Sequence, residues 1–125
     1  MFGDTKVLPS FSVDDVAAAQ EFYGETLGMK VSEESGALWL HPMNGYDVLV
    51  YPKPDHIPAS HTILNFVVED IDEAVDGLVA RGVRFLRFDG YGPDDKGIVR
   101  TPDRQIAWFS DPAGNVLSVA HLETS

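Results

Sequence analysis

The 125-residue sequence contains no cysteine. This absence excludes disulfide scaffolds, thiol nucleophiles and cysteine-ligated zinc. Basic residues are also scarce, with 9 lysines and arginines against 20 aspartates and glutamates, and the formal net charge is −11. A nucleic-acid partner is not expected, because phosphate contacts need clustered basic side chains. The sequence also lacks an apolar run of membrane-spanning length and the pattern of a signal peptide, which predicts a cytoplasmic protein with no membrane partner.

Two halves of the chain show the same order of elements, which is strand, helix and three strands. The predicted elements are Lys6–Val13, Asp14–Gly28, Met29–Glu34, Ala37–Pro42 and Tyr46–Pro52 in the first half, and His61–Val68, Glu69–Gly82, Val83–Phe88, Gln105–Asp111 and Asn115–Leu122 in the second. Aligning Asp15 with Asp70 leaves one residue of slip between the glycines that end the helices, Gly28 and Gly82. We predict a single domain over residues 1–125, with one module at about 6–52, a linker at 53–60 and a second module at about 61–122.

Local signals support these elements. Asp14 is the predicted cap of the first helix, because a short carboxylate accepts hydrogen bonds from the unpaired N–H groups of the first turn. The pair Asn44-Gly45 predicts a hairpin turn, and the stretch DPAGN at 111–115 is a second turn signal. Each helix covers only one face of its sheet. The expected fold is α+β, with paired βαβββ modules forming a cupped mixed sheet and the helices on its outer face.

The runs SVDDVAAAQEFYGETLG and AWFSDPAGNVLS, together with the repeated βαβββ order, resemble the vicinal oxygen chelate superfamily. This superfamily contains glyoxalase I, bleomycin-resistance proteins, extradiol dioxygenases and fosfomycin-resistance enzymes. The resemblance extends from about Val7 to Leu122. It implies a concave sheet, in which many members hold a divalent metal with one residue from each of four strands.

The positions that this resemblance assigns to metal ligands lack good donors. The histidine or glutamine of the opening strand corresponds to Leu8, the histidine of the second half to Ile63, and the glutamate of the last strand to Ser118. The fourth position lies within residues 49–51, where only Tyr51 is polar. Aliphatic side chains have no lone pairs, and a neutral hydroxyl is a poor ligand beside a carboxylate. We therefore predict no metal and no cofactor.

The same positions mark the concave face of the predicted sheet. Strand alternation and the resemblance together nominate as ligand-binding residues Leu8, Ser10, Ser12, Tyr51, Ile63, Asn65, Trp108 and Ser118. Their mixture of hydroxyl, amide, indole and aliphatic groups suits a small organic molecule, and the acidity of the chain favours a neutral or cationic one. The long segment Asp89–Arg104 is either a lid, with Arg100 or Arg104 offering charge to an anionic ligand, or a surface hairpin.

Three functions are compatible with this pattern. The first is a metal-free small-molecule-binding protein that resembles the bleomycin-resistance type, sequesters its ligand and forms a homodimer. The second is a glyoxalase-like lyase or dioxygenase with a metal at relocated ligands, such as His61 with Tyr51 or Asp47. The third is a metal-independent enzyme in which one of these side chains moves protons. No nucleophile elbow or Walker loop is present, and no catalytic residue is assigned.

Overall fold

A computed structural model describes residues 1–43 and 45–123. The chain comprises two compact units, Met1–Ile57 and Pro58–Ser125. Their boundary falls within the segment 53–60 that the sequence predicts as a linker. No helix in the described part of the chain is both long and apolar enough to span a membrane.

The first unit has the predicted βαβββ order. Its elements are β1 (Ser10–Val13), α1 (Val16–Gln20), a π-helical turn (Glu21–Thr26), β2 (Lys30–Glu34), β3 (Ala37–His41) and β4 (Val48–Pro52). The strands form one mixed sheet in the order β1-β4-β3-β2, with β1 parallel to β4 and the other neighbours antiparallel. The predicted Asn44-Gly45 turn cannot be compared in full, because Asn44 lies outside the described residues.

The first helix differs from its prediction in two ways. Its cap is Asp15 and not Asp14, since the Asp15 carboxylate accepts a hydrogen bond of 3.1 Å from the N–H of Ala18. The helix also changes type after Gln20. The N–H of Leu27 donates to the carbonyl oxygen of Phe22, five residues earlier, at 2.9 Å. This spacing belongs to a π-helix, which holds one more residue per hydrogen-bonded ring than an α-helix.

One face of the first sheet lies under the helix and forms the core of this unit. Its fully or nearly fully buried side chains are Phe11, Val13, Ala19, Tyr23, Leu38, Leu40, Val48 and Val50. The alternate residues lie on the opposite face, which we call the open face of the first unit. Burying one apolar set while exposing the alternate one is the pattern expected of a sheet covered on one side.

The second unit repeats the order with a longer connection. Its elements are β5 (Thr62–Val67), α2 (Ile71–Ala80), β6 (Phe85–Leu86), β7 (Val99–Arg100), β8 (Arg104–Ser110) and β9 (Val116–Leu122). The sheet order is β5-β9-β8-β6, and β7 also pairs with β8. Asp70 caps α2 by accepting from the N–H of Glu73 at 3.0 Å. The α+β fold is therefore confirmed, while the strand predicted over 83–88 is reduced to the two residues that pair with β8.

The DPAGN stretch forms the turn between β8 and β9. The Asp111 carboxylate accepts from the N–H groups of Ala113 and Asn115, both at 2.9 Å, and from the Asn115 side-chain amide at 3.0 Å. Gly114 adopts a positive φ of 86°, which an L side chain rarely takes. Both Asp111 and Asn115 are buried. The turn is thus an internal polar cluster that fixes the register of the two strands.

Candidate ligand-binding site

Three predicted site residues form one row across the open face of the second unit, the face opposite α2. Asn65 on β5, Ser118 on β9 and Trp108 on β8 are successive neighbours in register. The Ser118 hydroxyl donates to the Asn65 side-chain oxygen at 2.6 Å. The Trp108 indole N–H donates to the hydroxyl of Thr62 at 3.1 Å. The indole nitrogen is therefore already satisfied, which leaves the ring of Trp108 to make apolar contacts.

A bulge in β5 changes the expected position of Ile63. Thr62 pairs with Val116 and Leu64 with Leu117, so Ile63 is an extra residue without a partner on β9. The alternation that relates Asn65 to Ile63 breaks at such an insertion. Thr62 then lies on the side of Trp108, as their hydrogen bond shows. Because of the bulge, the Thr62 hydroxyl accepts the hydrogen bond of the Trp108 indole, a contact that regular strand alternation does not predict.

Two further aromatic residues surround Trp108. The rings of Phe88 and Trp108 meet edge to face, with centroids 5.2 Å apart and planes at 85°. The Tyr91 ring lies 5.8 Å from that of Trp108 with a tilt of 34°. Tyr91 is 66% exposed and Phe88 is 39% exposed. We call these three residues the aromatic cluster. Phe88 and Tyr91 are not among the site residues predicted from the sequence. The available signal was an aromatic pair beside the glycines at the start of the long segment.

The remainder of the long segment is held against α2. The Arg100 guanidinium lies 2.9 Å from the Asp72 carboxylate and 3.2 Å from that of Asp94, and it also donates to the side-chain oxygen of Gln105 at 3.1 Å. Lys96 lies 3.1 Å from Asp76 and 3.3 Å from Asp72. The hydrogen bond from Arg100 is the main reason that the pKa of Asp72 is lowered. The donors of Arg100 are thus engaged within the protein, contrary to their predicted availability for an anionic ligand.

The segment Asp89–Arg104 is therefore neither a simple lid nor a simple hairpin. Its first turn, a short 3₁₀ helix at Asp89–Tyr91, places Tyr91 against Trp108 on the open face. Its later part contains Ile98, which is buried, and the short strand β7. Arg104, the other predicted anion ligand, is exposed at the start of β8.

The second unit also contains a depression of about 490 Å³ beside α2. It is lined by α2, β6 and the loop at 95–97. None of the predicted ligand-binding residues contributes to it. Its wall includes Phe85, whose neighbour Leu86 pairs with Trp108. Strand alternation therefore puts the depression on the side opposite the aromatic cluster.

Three of the predicted site residues share the open face of the first unit. Ser12 pairs with Tyr51 in register, and Ser10 pairs with Leu49. The Ser12 hydroxyl is hydrogen-bonded to Nδ1 of His56 at 2.7 Å. Leu8 precedes β1, because the strand begins at Ser10 and not at residue 6 as predicted.

The positions that the resemblance assigns to a metal do not fit one. Leu8 and Ile63 carry no donor atom, and Ser118 is fully buried with its hydroxyl bonded to Asn65. Asp47, a candidate for a relocated site, lies 3.1 Å from His41. Within residues 1–43 and 45–123 there is no group of three or more histidine, aspartate or glutamate side chains suited to hold a metal ion.

Comparisons with known proteins agree with this fold. Two proteins of solved structure from Streptomyces sp. CB03234 are each 27% identical to the chain. One is TnmS3, an antibiotic binding protein, with a TM-score of 0.73 and coverage of 98% of this chain and 99% of its own. The other is a glyoxalase/bleomycin resistance protein, with a TM-score of 0.64 and coverage of 95% and 100%.

A lactoylglutathione lyase from Agrobacterium tumefaciens shares the fold at 18% identity. Its TM-score is 0.69, and the match covers 94% of this chain and 93% of the lyase. No curated protein matches the sequence significantly. The sequence profile of the Glyoxalase/Bleomycin resistance protein/Dioxygenase superfamily matches residues 9–119. Because this match spans most of the sequence and both βαβββ modules, the chain belongs to that superfamily.

Proposed function

We propose that the protein binds a small organic molecule without a metal, at the aromatic cluster on the open face of the second unit. The observation that carries this proposal is the arrangement of Phe88 and Tyr91 around Trp108. Exposed rings that contact one another form an apolar patch, and such patches mark ligand-binding surfaces. The indole N–H is bonded to Thr62, so the cluster presents ring faces and edges to a guest.

The chemistry of this surface favours a planar, neutral or cationic guest. Ring faces carry partial negative charge, and they attract cations as well as the edges of other rings. The net charge of −11 adds a long-range attraction for cations and opposes anions. The amide of Asn65, exposed at the end of the same row, is a polar group that could orient the guest.

The likeness to TnmS3 supports a binding function. That protein is an antibiotic binding protein, and the two chains match over nearly their whole lengths. The absence of donors at Leu8 and Ile63 favours binding without a metal over a metal-dependent reaction. We therefore propose sequestration of a compound as the activity, in the manner of bleomycin-resistance proteins.

Fluorescence of Trp108 tests the proposal directly. Since Trp39 is the only other tryptophan, a Trp39→Phe variant reports on Trp108 alone. Titration with a panel of planar cations, neutral aromatics and matched anions should shift its emission saturably for members of the first two classes. A panel that gives only anionic binders, or no saturable binder, contradicts the proposal.

Metal content is the second test. Elemental analysis of the purified protein should find no stoichiometric divalent metal, and the melting temperature should not change with a chelator or with added nickel, zinc, manganese or iron. Tight binding would raise the melting temperature by mass action. A stoichiometric metal would therefore replace this proposal with the enzymatic alternative.

We also propose that the protein forms a homodimer. Phe2, Val7 and Ile57 are large apolar side chains that are exposed in the first unit. Exposed apolar surface is one mark of a protein–protein interface, and we place the dimer contact at these side chains. Sedimentation velocity across micromolar concentrations should show a species of twice the monomer mass, and a monomer at every concentration would refute the dimer.

A further inference from the structure

The open face of the first unit carries a serine, a histidine and an aspartate in one series of close contacts. The Ser32 hydroxyl lies 2.7 Å from Nε2 of His41. The other ring nitrogen, Nδ1, lies 3.1 Å from the Asp47 carboxylate. The first contact is a hydrogen bond and the second is a close approach of the ring to the carboxylate, and the two contacts use opposite nitrogens of one imidazole. We call these residues the Ser32 relay.

The topology of the sheet brings the three residues together. Ser32 on β2 pairs with Trp39, and Lys30 pairs with His41, so Ser32 and His41 are diagonal neighbours on one face. Asp47 immediately precedes β4, the other neighbour of β3, at the end where His41 lies. Ser32 and Asp47 are 15 residues apart in the sequence, with His41 between them. Their side chains come together because of the register in which β2 and β4 pair with β3.

The order of the contacts determines the direction in which a proton moves. When the ring proton is on Nδ1, the nitrogen that faces the Asp47 carboxylate, the lone pair of Nε2 accepts the hydroxyl proton of Ser32. A nucleophile, a base and a group that orients the base are the three parts of an activated serine. We propose that the Ser32 relay is a second, catalytic site, which transfers acyl groups from small neutral esters to Ser32.

The surroundings of Ser32 suggest the class of ester. Trp39 stands directly opposite Ser32 on the same face and offers an apolar surface to an aromatic or short aliphatic acyl group. Strand β2 is at the edge of its sheet. Ser35 and Gly36 both have positive φ, as in a two-residue hairpin turn, so the flanking Glu34 and Ala37 form a hydrogen-bonded pair. Hydrogen-bonded and non-hydrogen-bonded pairs alternate along an antiparallel ladder. The N–H of Glu33, the next residue along β2, is therefore directed away from β3. This N–H follows the nucleophile and is a donor for the ester carbonyl oxygen.

The proposed reaction has two balanced stages. The Ser32 oxygen bonds to the ester carbonyl carbon while its proton passes to Nε2 of His41, and the C–O bond to the alcohol then breaks as the alcohol takes that proton. Water then bonds to the carbonyl carbon of the acyl-serine while losing a proton to the same nitrogen. The bond from that carbon to the Ser32 oxygen breaks, Ser32 takes the proton back from His41, and a carboxylic acid leaves. Asp47 touches neither substrate nor leaving group, so it is a positioning residue that keeps His41 in the required tautomer.

A serine-directed probe tests the nucleophile. A fluorophosphonate ester should form a covalent adduct on Ser32, located by peptide mass spectrometry, and p-nitrophenyl acetate should be hydrolysed. Ser32→Ala and His41→Gln should each lower the rate at least about 100-fold, while Ser60→Ala, a change at an exposed serine elsewhere, should have no effect. Asp47→Asn should lower kcat with little change in KM. A folded protein without the Ser32 adduct, or one in which His41→Gln is labelled equally fast, overturns the proposal.

A second experiment uses the absence of native cysteine. Ser32→Cys and Ser60→Cys each create a protein with a single thiol. A thiol beside an imidazole is activated, so Ser32→Cys should react with iodoacetamide at neutral pH at least about tenfold faster than Ser60→Cys. Adding His41→Gln to Ser32→Cys should remove the difference. Equal rates in all three proteins, with unchanged melting temperatures, would refute activation by His41. Neither experiment depends on ligand binding at Trp108, so the two proposals stand or fall separately.

Discussion

The open faces of the two units carry equivalent rows of side chains with different chemistry. The row in the first unit is Ser10, Leu49, Trp39 and Ser32, and the row in the second unit is Asn65, Ser118, Trp108 and Leu86. Both rows have tryptophan on the third strand. In the first unit its outer neighbour is the polar Ser32, whereas in the second unit the outer neighbour is an aliphatic residue and the ring contacts Phe88 and Tyr91.

The opposite faces differ much less. Phe11 and Val13 in the first unit correspond to Phe66 and Val68 in the second, and each pair precedes a helix capped by aspartate. A face packed under a helix must stay apolar, because an unsatisfied polar group there is expensive. The open face is not constrained in this way. The comparison shows that the two units have similar cores and differ at the faces where we place binding and catalysis.

The largest effect is expected from the turn that sets the register of the second open face. Asp111→Ala removes the acceptor of two backbone N–H groups and a side-chain amide, and should cost about 2–4 kcal/mol of the free energy of unfolding. Chemical denaturation measures this loss. Asp103→Ala, at an exposed aspartate in the turn before β8, is the control and should change stability by less than about 0.5 kcal/mol. Equal losses would show that the turn has no special role.

The second prediction separates the two tryptophan rows. In a Trp39→Phe background, Trp108→Ala should weaken a bound aromatic or cationic compound by about 1–3 kcal/mol, because a large ring contact is lost. Isothermal titration calorimetry replaces fluorescence for this variant, which has no tryptophan. Tyr46→Ala, which removes an exposed ring in the first unit, should leave the affinity unchanged. Unchanged affinity in a folded Trp108→Ala protein would show that the guest lies elsewhere.

Two glycines in turns provide a smaller, matched comparison. Gly114 and Gly36 have nearly the same φ, 86° and 83°. A Cβ at Gly36 meets no atom within 4 Å, whereas one at Gly114 would lie 3.2 Å from Cγ of Pro58. Gly36→Ala should therefore cost about 1 kcal/mol through φ alone, and Gly114→Ala about 2 kcal/mol or more. Thermal unfolding measures both values, and an equal cost would mean that Pro58 moves aside freely.

The smallest effect concerns the charges that hold the long segment against α2. Burial raises the pKa of Asp94, but hydrogen bonds from the N–H groups of Ile98 and Lys96 and the Arg100 guanidinium outweigh it, and the pKa is lowered from 3.8. A carboxyl whose pKa is lower in the folded protein than in the unfolded chain stabilises the folded state above pH 3.8. This stabilisation is lost as the pH falls through the lowered pKa of the folded protein. The contribution should be less than about 1 kcal/mol, because the side chain is 37% exposed and water screens its charge.

Asp94→Asn isolates this contribution. The variant should be less stable than the native protein at neutral pH, and the gap should close below pH 3.8. Melting curves over this range decide the matter, and a gap that stays constant with pH would exclude ionisation of Asp94 as its cause. Added salt should narrow the gap at neutral pH.

The features that could be predicted from the sequence are those that depend on local residue chemistry and on the spacing of apolar residues. The repeated βαβββ order follows from alternating and helical apolar patterns, and the DPAGN turn follows from its residue types. The bulge at Ile63 could not be predicted, because an inserted residue leaves the apolar pattern of a strand almost unchanged. Phe88 and Tyr91 lie in a segment without periodicity. The contact of Ser32 with His41 depends on strand register, which the positions of the two residues in the sequence do not reveal.

The π-helical turn at Glu21–Thr26 explains the one-residue slip between the two halves. The interval from the capping aspartate to the glycine after the helix is 13 residues in the first half (Asp15 to Gly28) and 12 in the second (Asp70 to Gly82). A π-helical ring takes up the additional residue without moving the strands on either side. The turn therefore accommodates the one residue by which this interval is longer in the first unit than in the second. Deleting a single residue from Glu21–Thr26 would give the first unit the interval of the second, so the segment should then continue as an α-helix and leave the flanking strands in place.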